Sequence, residues 1–322
     1  MSLFKLLLTL IYLGITVIAC SQQYPWWTQY RNNQTLYNPA FCGTKRIIDV
    51  RMNYRNQWVG FDGAPKTYAL SLNGRLLKGR IGLGGFIFKD DIGPFKKINS
   101  SITAAYHFRF PDSELSFGVQ GNRMSQRFNG QGITLKNQND IAINQFIEDK
   151  AIVNDVSFGV VYYNDRFHIG LGLNNITSSS FKYYKDDISK KGIYKNVPHY
   201  NFSAGYNYSD NQYILFENSL HASYINGLPF SFDYTLRIHI MKQIITGLSF
   251  RLNDAVALHI GCSIKQNFQI IYSYDIVTSA LRKHNRGTHE LSCVFSSNLG
   301  LTSKKRGSDN RFLKQKYQYL IN

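Results

Sequence analysis

The stretch Phe230–Ile240, FSFDYTLRIHI, decides the fold. Phe230, Phe232, Tyr234, Leu236, Ile238 and Ile240 share one parity; Ser231, Asp233, Thr235, Arg237 and His239 share the other. Successive side chains of a strand point to opposite faces, so this segment makes an apolar wall backed by a polar, charged one. The pattern returns at 102–110, where Ile102, Ala104, Tyr106, Phe108 and Phe110 alternate with Thr103, Ala105, His107 and Arg109. It returns again at 167–174, 200–208, 256–264 and 268–276. A chain that does little else reads as all-β, a transmembrane antiparallel β-barrel whose apolar face meets lipid and whose polar face lines a lumen.

Composition agrees. The chain carries 22 Tyr and 22 Phe against 7 Pro, as expected where aromatic girdles mark two membrane interfaces. Mean hydropathy is −0.26, and beyond the N-terminus no run approaches the ~20 apolar residues of a spanning helix. A barrel evades that test because half of its strand residues are polar.

Residues 1–21 read as a signal peptide: Lys5, then the apolar run Leu6–Ala19, then small residues before Gln22. Two processing routes stay open. Ala19-Cys20-Ser21 suits cleavage before Gln22, whereas Val17-Ile18-Ala19-Cys20 resembles a lipobox and makes Cys20 a candidate lipidation site. Either route exports the chain. Cys42, Cys262 and Cys293 show no CxxC spacing and read as small apolar side chains rather than a disulfide framework.

Alternation and turn signals predict about fourteen strands between 47 and 300, an even number as bacterial single-chain barrels require. The predicted strands are 47–58, 65–76, 80–90, 98–110, 113–124, 152–163, 166–174, 197–208, 212–225, 230–240, 243–252, 255–264, 267–277 and 287–297. Short polar turns (Pro111-Asp112, Asn164-Asp165, Ser209–Asn211, Lys265-Gln266) follow even strands. Longer connections (Asp91–Lys97, Ser125–Ala151, Asn175–Asn196 and the stretch around Arg282–Arg286) follow odd ones. In outer-membrane barrels the turns are periplasmic and the loops extracellular, which places both termini in the periplasm. Residues 22–46 become a periplasmic N-terminal segment and candidate plug, because Trp26, Trp27, Tyr30 and Tyr37 have no strand alternation and need a dry place. Residues 301–322 become a basic periplasmic tail, with six Lys/Arg and one Asp between Lys304 and Lys316.

The formal charge of +17 is spread over lumenal positions, turns and this tail rather than over a nucleic-acid-binding module. Lipid, an acidic partner or an acidic ligand are the expected targets, and nucleic acid is not. No histidine is tied by a motif to a nucleophile, and no GxSxG elbow or metal-ligand spacing occurs, so the sequence predicts neither catalysis nor a cofactor. Gly82-Leu83-Gly84-Gly85 opens no helix and reads as close backbone packing in a bent strand rather than a phosphate loop.

Two stretches look too specific for barrel wall: Tyr37-Asn38-Pro39-Ala40-Phe41-Cys42-Gly43, and YRNQWVGFDGAPKT at 54–67. The second reads either as an interfacial Trp beside a Gly/Pro turn or as a functional contact. With the Gln22–Pro25 start, Tyr163–Phe167, Tyr272–Asp275 and Gly287–Leu291, these stretches resemble the PorP/SprF-like outer-membrane proteins of the Bacteroidota type IX secretion system. Cys42 and the tail beyond Leu301 depart from that pattern. The resemblance implies a non-enzymatic barrel supporting secretion or surface anchoring of cargo with a C-terminal sorting domain, of the gliding-adhesin type. It implies outer-membrane lipid and periplasmic secretion-system components as further partners. The candidate interaction residues are Tyr37, Asn38, Pro39, Gly43, Tyr54, Arg55, Gln57, Trp58, Gly60 and Pro65. The alternative reading is a passive diffusion or uptake channel of the outer membrane.

Overall fold

The structure is a computed structural model and describes residues 25–76, 79–129, 148–182, 193–209, 213–264 and 267–297. The expected signal peptide, Cys20 and the basic tail lie outside the described residues. Fourteen antiparallel strands close into one barrel. They are β1 (Ile48–Asn56), β2 (Lys66–Leu76), β3 (Ile81–Ile92), β4 (Phe95–Arg109), β5 (Glu114–Asn129), β6 (Glu148–Tyr163) and β7 (Phe167–Asn174). After the short hairpin of β8 (Ser180–Lys182) and β9 (Ile193–Lys195) come β10 (His199–Tyr208), β11 (Ile214–Ile225), β12 (Ser231–Ile240) and β13 (Ile244–Arg251). The last are β14 (Ala255–Ile264), β15 (Phe268–Val277) and β16 (Thr288–Ser297). Each barrel strand pairs with the next along the chain, β7 pairs with β10, and β1 closes on β16 with Arg55 opposite Glu290.

The alternation sorts the side chains as a membrane wall requires. On β4, Ile102 is 81% exposed while Thr103 beside it is 1% exposed. On β12, Asp233, Thr235 and Arg237 are buried and Tyr234 is exposed. This polarity is the inverse of a soluble protein's, and only a surrounding apolar solvent stabilises it. Outward aromatic rings form two bands. Tyr54 meets Tyr68 and Tyr200 meets Tyr224 near the long-loop end. Phe108 meets Phe117, Tyr162 meets Phe167 and Tyr208 meets Phe216 near the short-turn end.

Three connections differ from the sequence reading. The expected loop Asp91–Lys97 is mostly ladder: Asp91 pairs with Lys96 and Ile92 with Phe95, leaving a two-residue turn at Gly93-Pro94. Gly93 has φ +51°, the conformation such a tight turn needs, and the cross-strand charge pairs extend the ladder. The expected loop Ser125–Ala151 begins and ends as strand, since β5 and β6 pair from Ser125↔Ile152 to Asn129↔Glu148. With 16 residues each, β5 and β6 exceed the ~9–11 needed to cross a bilayer and stand above it. The expected loop Asn175–Asn196 contains the β8–β9 hairpin, whose Phe181 is buried against Met124 and Val153 on the lumenal side of the wall. Alternation in these segments is carried by polar and charged residues, which is why they read as loops.

Placing an arginine on the lipid face tests the wall. Ile102→Arg, near the middle of β4, should cost about 2–4 kcal/mol in reversible unfolding from lipid vesicles. An unchanged unfolding free energy would contradict a lipid-facing position.

Candidate functional site

The lumen is occupied by the chain's own N-terminal segment. Residues 25–46 descend inside the barrel from the long-loop end to the short-turn end, then turn into β1. Two short 3-10 helices, Tyr30–Leu36 and Pro39–Phe41, give the segment its compact path. The second is set by Asn38, whose side chain accepts the Ala40 N–H at 2.9 Å ahead of Pro39 at the first helical position.

At the long-loop end the segment is held by charge. Thr28 and Gln29 donate their backbone N–H groups to the two Glu290 carboxylate oxygens at 2.8 and 2.9 Å. The Thr28 hydroxyl donates to Asp275 at 2.7 Å and accepts from Arg55 at 2.7 Å and Arg251 at 2.9 Å. Arg55 also pairs with Asp275 and Glu290, each at 2.9 Å, and Arg251 pairs with Asp233 at 3.1 Å. Arg55 is 2% exposed. A guanidinium so far from water is tolerable only with carboxylates and hydrogen bonds around it, and both are supplied.

In the middle the segment is held by aromatic packing. Trp27, Tyr30, Leu36 and Tyr37 bury against Ala69, Phe86 and Phe88, wall residues that point inward despite being apolar. The rings of Trp26, Tyr30 and Tyr37 each lie about 5 Å from the His221 ring, at 4.9, 5.2 and 4.5 Å. The Tyr37 hydroxyl accepts the Trp27 N–H at 3.0 Å, folding the segment on itself.

Toward the short-turn end the backbone itself touches the wall. The Asn38 amide donates to the carbonyls of Val160 and Leu171, both at 3.1 Å, and the Tyr37 carbonyl accepts from Asn174 at 3.2 Å. This approach needs missing side chains. A Cβ on Gly159 would fall 1.9 Å from Asn38 Oδ1, one on Gly118 2.3 Å from the Ala40 nitrogen, and one on Gly172 2.4 Å from the Tyr37 carbonyl oxygen. Lower still, the Ala40 carbonyl accepts from Ser116 at 2.8 Å. The Cys42 carbonyl faces His107 Nε2 at 3.0 Å, which makes Nε2 the protonated ring nitrogen of that network. Glu114 closes the end, binding Arg46 of the segment, Arg75 of β2 and the Tyr163 hydroxyl.

The ten sequence candidates divide three ways. Tyr37, Asn38, Pro39, Gly43 and Arg55 belong to the lumenal network. Gly43 combines φ +78° with a Cβ position 2.8 Å from the Gly82 Cα, so only glycine fits there. Tyr54 faces outward in the aromatic band against Tyr68. Gln57, Trp58, Gly60 and Pro65 shape the first long-end loop: the Gln57 N–H donates to the Pro65 carbonyl at 3.0 Å and the Trp58 N–H to the Thr288 hydroxyl at 3.1 Å. The Trp58 backbone is thereby tied to the start of β16. Cys42 is buried, and burial pushes its thiol up to about 12, so it packs rather than reacts.

Residues that the sequence reading missed are the acceptors Asp275, Glu290 and Glu114, the donor Arg251 and the glycines. One Ser–His contact also went unseen, Ser249 Oγ to His259 Nε2 at 2.6 Å. Among the described residues no acid bonds His259 Nδ1, and both residues are buried in the wall, so the pair lacks there the orienting group and the access that a nucleophile needs. Among the described residues, no group of three His, Cys, Asp or Glu side chains converges to hold a metal.

A closed barrel with this inverted polarity is an outer-membrane β-barrel. Residues 19–295 match the family model of the type IX secretion system membrane protein PorP/SprF, and the chain belongs to that family. No curated protein matches the chain. Among solved structures it is similar to the Ralstonia pickettii toluene transporter TbuX (TM-score 0.51, 9% identity, 83% of this chain and 93% of that one). It is also similar to a Pseudomonas aeruginosa FadL homologue (TM-score 0.45, 10% identity, 80% and 92%). The Acinetobacter baumannii outer membrane protein Omp33 is a third (TM-score 0.46, 7% identity, 78% and 98%). At these identities the likeness is one of fold.

The glycine bed gives a direct test. Gly159→Leu should unseat the segment and open Trp26 and Trp27 to a water-soluble fluorescence quencher while strand content stays unchanged. Quenching equal to that of the parent protein would contradict the close backbone approach.

Proposed function

We propose that this barrel serves the type IX secretion system as a plugged anchor, supporting secretion or surface attachment of proteins with a C-terminal sorting domain. Family membership supplies the system. The observation that carries the anchor reading is the lumen itself. A segment bound by paired buried charges and by direct bonds to strands on opposite sides of the wall suits a rigid docking platform better than a conduit. The barrel then offers its partners two rims, a long-loop rim at the cell surface and a short-turn rim in the periplasm. The passive-channel reading would require residues 25–46 to leave the lumen, against the cost of depriving the buried Asp275 and Glu290 carboxylates of their Thr28 and Gln29 donors.

Deleting residues 25–40 separates the two. The anchor reading expects a barrel that still inserts, conducts ions in planar bilayers where the parent is nearly silent, and no longer supports surface display of adhesin cargo. A parent protein that conducts steadily, together with normal cargo display after the deletion, would favour the channel.

A further inference from the structure

The plug does not fill the barrel evenly. At the short-turn end it leaves a vestibule of about 440 Å³ opening toward the periplasm, between the plug and β7, β10, β11, β12 and β15. That volume lies in the range of sites for small molecules and short peptide segments, and is far too small for a folded domain. Six cations line it: Arg31 and Lys45 from the plug, Arg51 from β1, Arg166 from the β6–β7 turn, Arg237 from β12 and Lys242 from the following turn. Two carboxylates line it as well, Asp165 and Glu217.

The inner charges are already committed. Glu217 is shared by Arg31 at 2.9 Å, Arg237 at 3.1 Å and His239 at 3.1 Å, and Arg51 is held by Asp49 at 2.7 Å. Lys45 and Arg166 stand differently. Neither makes an ion pair among the described residues, and Arg166 is exposed at the rim. Burial, with Arg51 close by, lowers the Lys45 ammonium to about 7, a state that an incoming carboxylate would reverse. Phe41, Tyr163 and Tyr213 complete the lining and supply apolar and hydroxyl contacts suited to a polypeptide.

We infer that this vestibule receives an acidic peptide segment of a periplasmic partner, with Lys45 and Arg166 taking its carboxylates. The inference rests on the secretion-component reading above for the partner's compartment. The plug bars the approach from the cell surface, so the occupant comes from the periplasm. The chain's own tail is a poor occupant, because its six Lys/Arg between Lys304 and Lys316 repeat the sign of the vestibule.

The test uses the full-length purified protein in detergent and a fluorescent Gly-Glu octapeptide. Binding should be measurable by anisotropy and weaken as salt is raised. It should be at least tenfold tighter than for Gly-Gln or Gly-Lys octapeptides, and should resist displacement by equimolar inorganic phosphate. Lys45→Glu and Arg166→Glu, which remove none of the plug's own bonds, should each weaken it about tenfold. Removal of residues 301–322 should change it less than threefold. Equal affinity for the acidic and neutral peptides, displacement by phosphate, or loss on tail removal with Lys45→Glu silent would each overturn the inference. Since no cargo enters the assay, a negative result would leave the secretion phenotype of the plug deletion to stand or fall separately.

Discussion

A guanidinium taken out of water must be met by carboxylates, and Arg55 makes that demand at the long-loop end of the lumen. Asp275 and Glu290 come to it from β15 and β16, on the far side of the seam where the barrel closes. Two carboxylates beside one cation leave negative charge over. Arg251 and the Thr28 and Gln29 backbone amides meet the remainder. The N-terminal segment is therefore a member of the charge balance. With it absent, buried carboxylate oxygens lose donors, a change that typically costs several kcal/mol in a dry site. Barrel closure and plug placement follow from the same small set of side chains.

This arrangement resolves a conflict inherent in the fold. A membrane wall with apolar residues outside must put its polar residues inside, and a narrow polar lumen either holds water or is filled. Here it is filled by a segment that matches the wall in kind: amides and charges where the wall is charged, aromatic rings where Phe86 and Phe88 point inward, bare backbone where the wall carries glycine. The mismatch is confined to the short-turn end, where the vestibule keeps a cationic lining open at that rim.

Much of the wall was legible in the sequence because lipid enforces strict alternation. The fourteen strands were found for that reason, and Phe230–Ile240 alone fixed which face was which. Strand ends were less legible. Above the bilayer the outward face is free to be polar, so Ser125–Asn129 and the ladder through Asp91 and Lys96 carried no signature. In the lumen, Tyr37-Asn38-Pro39 and Gly43 stood out as a non-alternating aromatic stretch. Their receptors did not. Parity says that Asp275 and Glu290 face inward, but the arrangement that brings them to Thr28, some 250 residues earlier in the chain, is written nowhere locally. A usable signal was present in the glycines: Gly118, Gly159 and Gly172 all fall on lumenal parity, where a missing side chain means that something comes close.

The most direct test of a plug built into the charge balance is amide hydrogen exchange at Thr28 and Gln29. Their N–H groups bond to the buried Glu290 carboxylate, so they should exchange as slowly as the amides of β15 and β16 in the intact, folded barrel. Exchange at the rate of an unstructured peptide, with the strands still protected, would contradict the account and leave residues 25–46 as an ordinary mobile leader.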